Sequence, residues 1–185
     1  MPAGGKARWG WHCLADRWAD QLVSDAAVAP GELVLDVGAG TGAITAPLVA
    51  AGARVIAVEL HPGRLAALRR RFAAVPAVTV VRADAGDLRL PRRPFRVVAN
   101  PPYAITALLL RRLLAPGSRL VAADLVLQRA AAARWAEGRA PGAGRWRADY
   151  TVSLGRPVPR SAFDPPPAVA SSTLVIRRRG LRPRA

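Results

Sequence analysis

Lysine is almost missing from this sequence. Of 28 basic residues only Lys6 is lysine; the rest are arginine. Acids are scarce too, and 12 Asp and Glu leave a formal net charge of +16. One cysteine, Cys13, excludes an internal disulfide framework. Two well-separated histidines, His12 and His61, beside that single cysteine make a zinc cluster unworkable, so no metal is expected. No long apolar run is present. The longest uncharged stretch, residues 37–53, carries Gly38, Gly40, Gly42 and Pro47, which suit a turn rather than a membrane span. The first 18 residues contain no apolar run ahead of a cleavage site. A cytoplasmic protein without a membrane partner is expected.

What is present is a core. At 185 residues and 51% hydrophobic composition, the chain suits one folded domain and not a disordered polybasic tail. A folded domain this basic meets a polyanion, either nucleic acid or an anionic membrane surface.

Apolar residues at helical spacing predict a helix over residues 14–28, stopped by Pro30-Gly31. Short apolar runs predict strands at 33–37, 54–58, 78–81, 95–99 and 120–127. Helices are expected between them at 43–51, 62–72 and 105–114, with a short one at 128–135 and a Gly/Pro/Ala loop at 138–144. Strands alternating with helices predict a doubly wound, parallel α/β sheet. Two late strands, 150–154 and 173–177, predict an antiparallel edge hairpin.

The segment Leu33-Val34-Leu35-Asp36-Val37-Gly38-Ala39-Gly40-Thr41-Gly42 is a strand running into a glycine turn and then a helix. Such glycines allow positive φ and close approach of a ligand to backbone N–H groups. Glu59 closes the next strand, where a carboxylate can accept both hydroxyls of a ribose. The spacing fits both an S-adenosylmethionine site and a dinucleotide site, since Gly38-x-Gly40-x-x-Ala43 also matches GxGxxA. Asp84 ends the third strand, placed either to meet an adenine amino group or to cap its own loop.

Asn100-Pro101-Pro102-Tyr103 follows the fourth strand. Methylating an NH2 attached to a ring or carbonyl requires that its delocalised lone pair be localised and aimed. The Asn100 side-chain oxygen and the Pro101 carbonyl are two acceptors for the NH2 hydrogens. The prolines stiffen the turn, and Tyr103 offers a ring for stacking. Orientation and electrostatics then suffice without a strong base.

This series resembles the amino-methyltransferases that use S-adenosylmethionine. Phe163-Asp164-Pro165-Pro166-Pro167-Ala168-Val169-Ala170-Ser171 matches the F-x-P-x-P-x-V-x-S pattern of the rRNA adenine N6-methyltransferase family, which includes the KsgA small-subunit enzymes and the Erm macrolide-resistance enzymes. The preceding run from Val158 is more similar to Erm. The resemblance implies a Rossmann-like methyltransferase fold with a mostly parallel seven-stranded sheet. It implies methylation of an adenine in 23S rRNA, at the peptidyl-transferase region, giving macrolide, lincosamide and streptogramin B resistance. It assigns His12, Leu14, Gly38, Ala39, Gly40, Glu59, Leu60, Asp84, Ala85 and Asn100 to the cofactor. It assigns Asn100, Pro101, Tyr103 and Phe163 to the target adenine; Phe163 would also suit a core position.

Two departures stand out. The family's Ser-Gln-Asn-Phe-Leu type segment is here Gly10-Trp11-His12-Cys13-Leu14, which puts a histidine in place of asparagine. The family's helical C-terminal domain is not expected either. The expected organisation is a basic, flexible segment 1–13, a catalytic domain 14–179 and a basic tail 180–185. A monomer with no obligate protein partner is expected.

Arginine clusters at 69–71, 92–93, 111–112, 145/147, 156/160 and 177–179 supply planar forks for phosphate. With so few aromatics, Trp135 and Trp146 beside arginines are candidates for stacking on splayed RNA bases. The alternatives are another amino-methyltransferase substrate (small-subunit rRNA, DNA or a release-factor glutamine) and a non-catalytic RNA-binding assembly factor on the same fold.

Overall fold

The computed structural model describes residues 12–180. Gly10 and Trp11, which the resemblance places beside the cofactor, lie outside the described residues, as do the tail residues 181–185.

Seven strands form one sheet in the order β4-β3-β2-β5-β6-β9-β7. These are β2 (Leu33–Val37), β3 (Arg54–Val58), β4 (Val78–Val81), β5 (Phe95–Ala99), β6 (Leu120–Gln128), β7 (Tyr150–Val158) and β9 (Ser171–Arg178). β9 pairs antiparallel with both β6 and β7, and the other pairings are parallel. The expected parallel sheet with an antiparallel edge is present. β2 and most of β6 are buried along their length, as their continuous apolar runs require. β7 is the edge strand and holds Pro157, which is tolerated where no ladder bond is needed. A Cβ at Gly155 would come within 2.8 Å of Val175 Cγ2, so glycine lies where the register shifts between Leu154 and Pro157.

Helices cover both faces. α1 (Asp16–Ala26), α2 (Thr45–Ala50) and α3 (Pro62–Arg71) seal one with Leu22, Val23, Leu48 and Leu68. α4 (Thr106–Leu113) and α5 (Arg129–Ala136) close the other with Leu109, Leu110, Leu113 and Trp135. Truncating any one of these leucines to alanine costs about 2–5 kcal/mol.

The structure shifts some expected boundaries for identifiable reasons. α1 starts two residues late because Cys13 and Leu14 form β1, paired antiparallel with β8 (Phe163–Asp164). It stops at Ala27, whose φ of 48° is left-handed. α3 begins at Pro62 behind His61, whose ring accepts from Arg64 N at 3.4 Å. The glycine-rich loop ends in a short helix, α6 (Ala143–Trp146).

Trp135 and Trp146 do not face RNA. Each is 5% exposed, and their rings stack on each other at 5.8 Å within the core. Helical spacing on α5 turns Trp135 into the core, where Trp146 packs against it.

Candidate active site at the carboxyl edge of the sheet

A cleft opens where β2, β3 and β5 end. The glycine turn forms its floor. Gly38 N and Ala39 N both donate to Val58 O at 2.9 Å, tying the turn to β3. Gly38 has a φ of 79°, and a Cβ there would meet Pro102 Cδ at 2.9 Å. The turn and the Asn100-Pro-Pro-Tyr103 segment therefore abut, and only glycine fits between them.

Asp36 ends in the cleft lining yet is fully buried. Its Oδ2 accepts from Thr45 Oγ1 at 2.7 Å, while Oδ1 has no partner among the described residues. Burial pushes its carboxyl up to about 7, with nearby Glu59 adding to the effect and the Thr45 bond opposing it.

Glu59 is held by the glycine turn and by its own loop. Oε2 accepts from Gly40 N at 2.9 Å, and Oε1 accepts from Leu60 N at 2.9 Å and His61 N at 2.7 Å. The Arg64 guanidinium lies 3.4 Å away. This carboxylate is fixed in direction before any ligand arrives.

Three segments converge on the Asn100 loop. Asn100 Nδ2 donates to His12 O at 2.9 Å, which leaves Oδ1 as the acceptor of that amide. The His12 ring stacks on Tyr103 at 5.9 Å, and its Nδ1 bonds Pro165 O at 2.7 Å, which requires the proton on Nδ1. The Tyr103 hydroxyl bonds Ser171 Oγ at 2.8 Å. Burial pushes the Tyr103 phenol up, so it stays a neutral hydroxyl. The Phe163-to-Ser171 signature thus meets the loop directly through Ser171 and, by way of His12, through Pro165.

Of the residues singled out in the sequence, His12, Leu14, Gly38, Ala39, Gly40, Glu59, Asn100, Pro101 and Tyr103 line the cleft together. Leu60, Asp84, Ala85 and Phe163 do not. Asp84 is exposed, and its Oδ1 accepts from Gly86 N at 2.8 Å, a loop-capping bond. Phe163 is 4% exposed and packs in the core beside Leu14, so it presents almost no surface to a base. The sequence reading did not single out Asp36, Arg64 or Ser171. Asp36 had a signal, as the acid just ahead of the glycine turn. Ser171 closes a quoted motif, but its partner lies 68 positions away.

The sheet order, with an antiparallel strand inserted beside its edge, and the cleft at its carboxyl side define the Rossmann-like methyltransferase fold. The family model of ribosomal RNA adenine dimethylases matches residues 5–184, and the chain belongs to that family. It is 38% identical over 182 residues to the mycinamicin-resistance protein MyrB of Micromonospora griseorubida, covering 95% of this chain and 57% of MyrB. It is 34% identical to a probable ribosomal RNA small subunit methyltransferase A of Pyrobaculum islandicum, covering 97% of this chain and 74% of that protein. The crystal structure of the 23S rRNA methyltransferase ErmE superposes with a TM-score of 0.78 at 26% identity, covering 90% of this chain and 70% of ErmE. The chain therefore spans little more than half the length of MyrB. Among the described residues no helix is long and apolar enough to cross a membrane.

The cleft fits S-adenosylmethionine on its own chemistry. The orphaned Oδ1 of buried Asp36 matches a ligand ammonium, fixed Glu59 matches a ribose diol, and the glycine turn admits a close approach of backbone.

Proposed function

We propose that this protein transfers a methyl group from S-adenosylmethionine to N6 of an adenine in ribosomal RNA, and that the RNA is 23S, in the peptidyl-transferase region. The observation that carries the reading is the bond from Asn100 Nδ2 to His12 O. It spends the donor side of the amide on the protein and keeps the acceptor side for a substrate amino group.

Asp36, Gly38, Gly40 and Glu59 would hold the cofactor, whose methylsulfonium supplies an electrophilic methyl. Asn100 Oδ1 and the Pro101 carbonyl would accept hydrogen bonds from the two N6 hydrogens and turn the lone pair toward that methyl; N6 gains the methyl as the S–CH3 bond of the sulfonium breaks, and sheds its surplus proton to water. Tyr103, steadied by Ser171 and His12, supports the adenine ring. A duplex adenine cannot reach Asn100, so the base enters flipped or unpaired. Asp84 Oδ2 is assigned to the cofactor adenine.

Kinship to MyrB, named for resistance, and likeness to ErmE favour 23S rRNA and a resistance phenotype. The small-subunit reading rests on relatives such as that of Pyrobaculum islandicum. The protein is incubated with methyl-labelled S-adenosylmethionine and protein-free 23S or 16S rRNA, and labelled adenines are mapped by mass spectrometry. Label at a 23S adenine is expected. Label only in 16S moves the assignment to the small subunit, and no adenine label with cofactor bound sinks the enzymatic reading.

A further inference from the structure

Many of the arginines gather at the sheet edge opposite the cleft. β5, β6 and β7 start at that edge, and antiparallel β9 ends there. Arg92 and Arg93 precede β5, Arg119 precedes β6, Arg145 and Arg147 precede β7, and Arg179 follows β9. Strand register makes them one row. Phe95 pairs with Leu120, and Tyr150 pairs with Arg178. Phe95 N donates to Arg119 O at 3.2 Å, Arg179 N to Asp149 O at 2.7 Å, and Arg179 Nε to Arg147 O at 3.2 Å. At a strand spacing of about 4.8 Å, the row crosses four strands in about 15 Å.

All six side chains are exposed, and among the described residues none makes an ion pair. Asp149 is the carboxylate within the row, and Glu32 at the same edge is already paired with Arg96 at 2.8 Å. The row lies away from the site. Along β5 and its flanks, Arg93 is seven positions from Asn100, roughly 20 Å of extended chain. These arginines cannot touch a nucleotide seated on Asn100.

We propose that this amino edge is a second RNA-binding surface, which grips the phosphate backbone of an RNA segment other than the one presenting the target adenine. The proposal rests on the reading that the substrate is RNA. Planar guanidinium forks spaced along a ridge suit phosphates in series. An anionic membrane is the poorer fit. Surface-bound segments insert Leu, Phe or Trp, whereas among the described residues the large exposed apolar ones, Leu108, Leu154 and Val169, all lie outside the row. One face thus recognises the base while the other reads a distant backbone.

The test is the variant Arg93→Gln/Arg119→Gln/Arg147→Gln/Arg179→Gln, beside the same four positions changed to Lys and beside single Arg93→Gln and Arg119→Gln. Kd is measured across salt concentrations for a transcript of the whole peptidyl-transferase region and for a short hairpin holding only the mapped adenine. Vesicles with an anionic lipid serve as a third probe. For the Gln variant, affinity for the long transcript is expected to fall at least tenfold, and the salt slope to shallow by about 3.6, at roughly 0.9 for each of four phosphate contacts. Binding and methylation of the hairpin stay at the wild-type level, and the Lys variant recovers most of the loss. Should the fourfold variant fail to fold, each single variant is expected to shallow the slope by about one. An unchanged slope on the long transcript overturns the proposal, as does vesicle binding lost in the Gln variant with RNA binding intact. Binding is read apart from methyl transfer, so a protein that methylates no rRNA fails the proposed function without deciding this surface.

Discussion

Asn100 and His12 are joined by one hydrogen bond, from the side-chain amide of the first to the backbone carbonyl of the second, at 2.9 Å. Because the acceptor is main chain, the identity of residue 12 matters less for this bond than its position. A histidine in the family's asparagine position therefore leaves Asn100 oriented as the chemistry requires.

Asn100→Ala is expected to lower methyl transfer by at least about 100-fold, since an orienting acceptor at the reacting nitrogen is lost. Cofactor affinity by calorimetry should stay within a few-fold. Asn100→Asp should fail comparably, because it sets a carboxylate oxygen against the His12 carbonyl. Near wild-type turnover in either variant removes Asn100 from its role.

Asp36 gives a pH prediction. Its folded value, about 7, lies above that of the unfolded chain, near 3.9. Between those values the folded state holds a proton that the unfolded state has lost. Stability without cofactor should therefore fall as pH rises from about 4 to 7 and level off above. Cofactor binding should tighten over the same range, because a ligand ammonium meets the ionised carboxyl. Urea titrations and calorimetry check both, and Asp36→Asn should flatten both profiles.

Gly38→Ala is expected to hurt catalysis more than folding. A positive φ in a non-glycine residue costs about 1–3 kcal/mol, and the new methyl would press on Pro102, 2.9 Å from where it must sit. The Asn100 loop is the part that gives way. Transfer and cofactor binding should be lost in protein that still unfolds cooperatively.

Ser171→Ala and Tyr103→Phe should each cost about 1 kcal/mol, and the double variant little more than either, because both remove one hydrogen bond. Unfolding free energies complete that cycle. The accompanying rise in KM for RNA tests the positioning of Tyr103.

Trp146→Ala should destabilise the fold by about 3–5 kcal/mol. RNA affinity of the folded fraction should be unchanged. Loss of RNA binding at full stability would return Trp146 to the surface reading.

Much of this was legible in the sequence because it is local. Val37-to-Gly42 is a strand-to-helix turn by composition, and Asn100-Pro-Pro-Tyr103 sits directly behind an apolar strand. What escaped is what depends on distance along the chain. The bond of Ser171 to Tyr103 and the pairing of Cys13–Leu14 with Phe163–Asp164 join segments that no periodicity connects. Trp135 and Trp146 misled for the opposite reason: arginine neighbours in sequence say nothing about which way a helix turns its rings.

β9 lies between β6 and β7, which share no ladder of their own. Residues 150–158 therefore reach the sheet only through residues 171–178. The same strand brings Ser171 to Tyr103. A change that loosens β9 is therefore expected to cost the sheet its edge and the cleft its support of Tyr103 together.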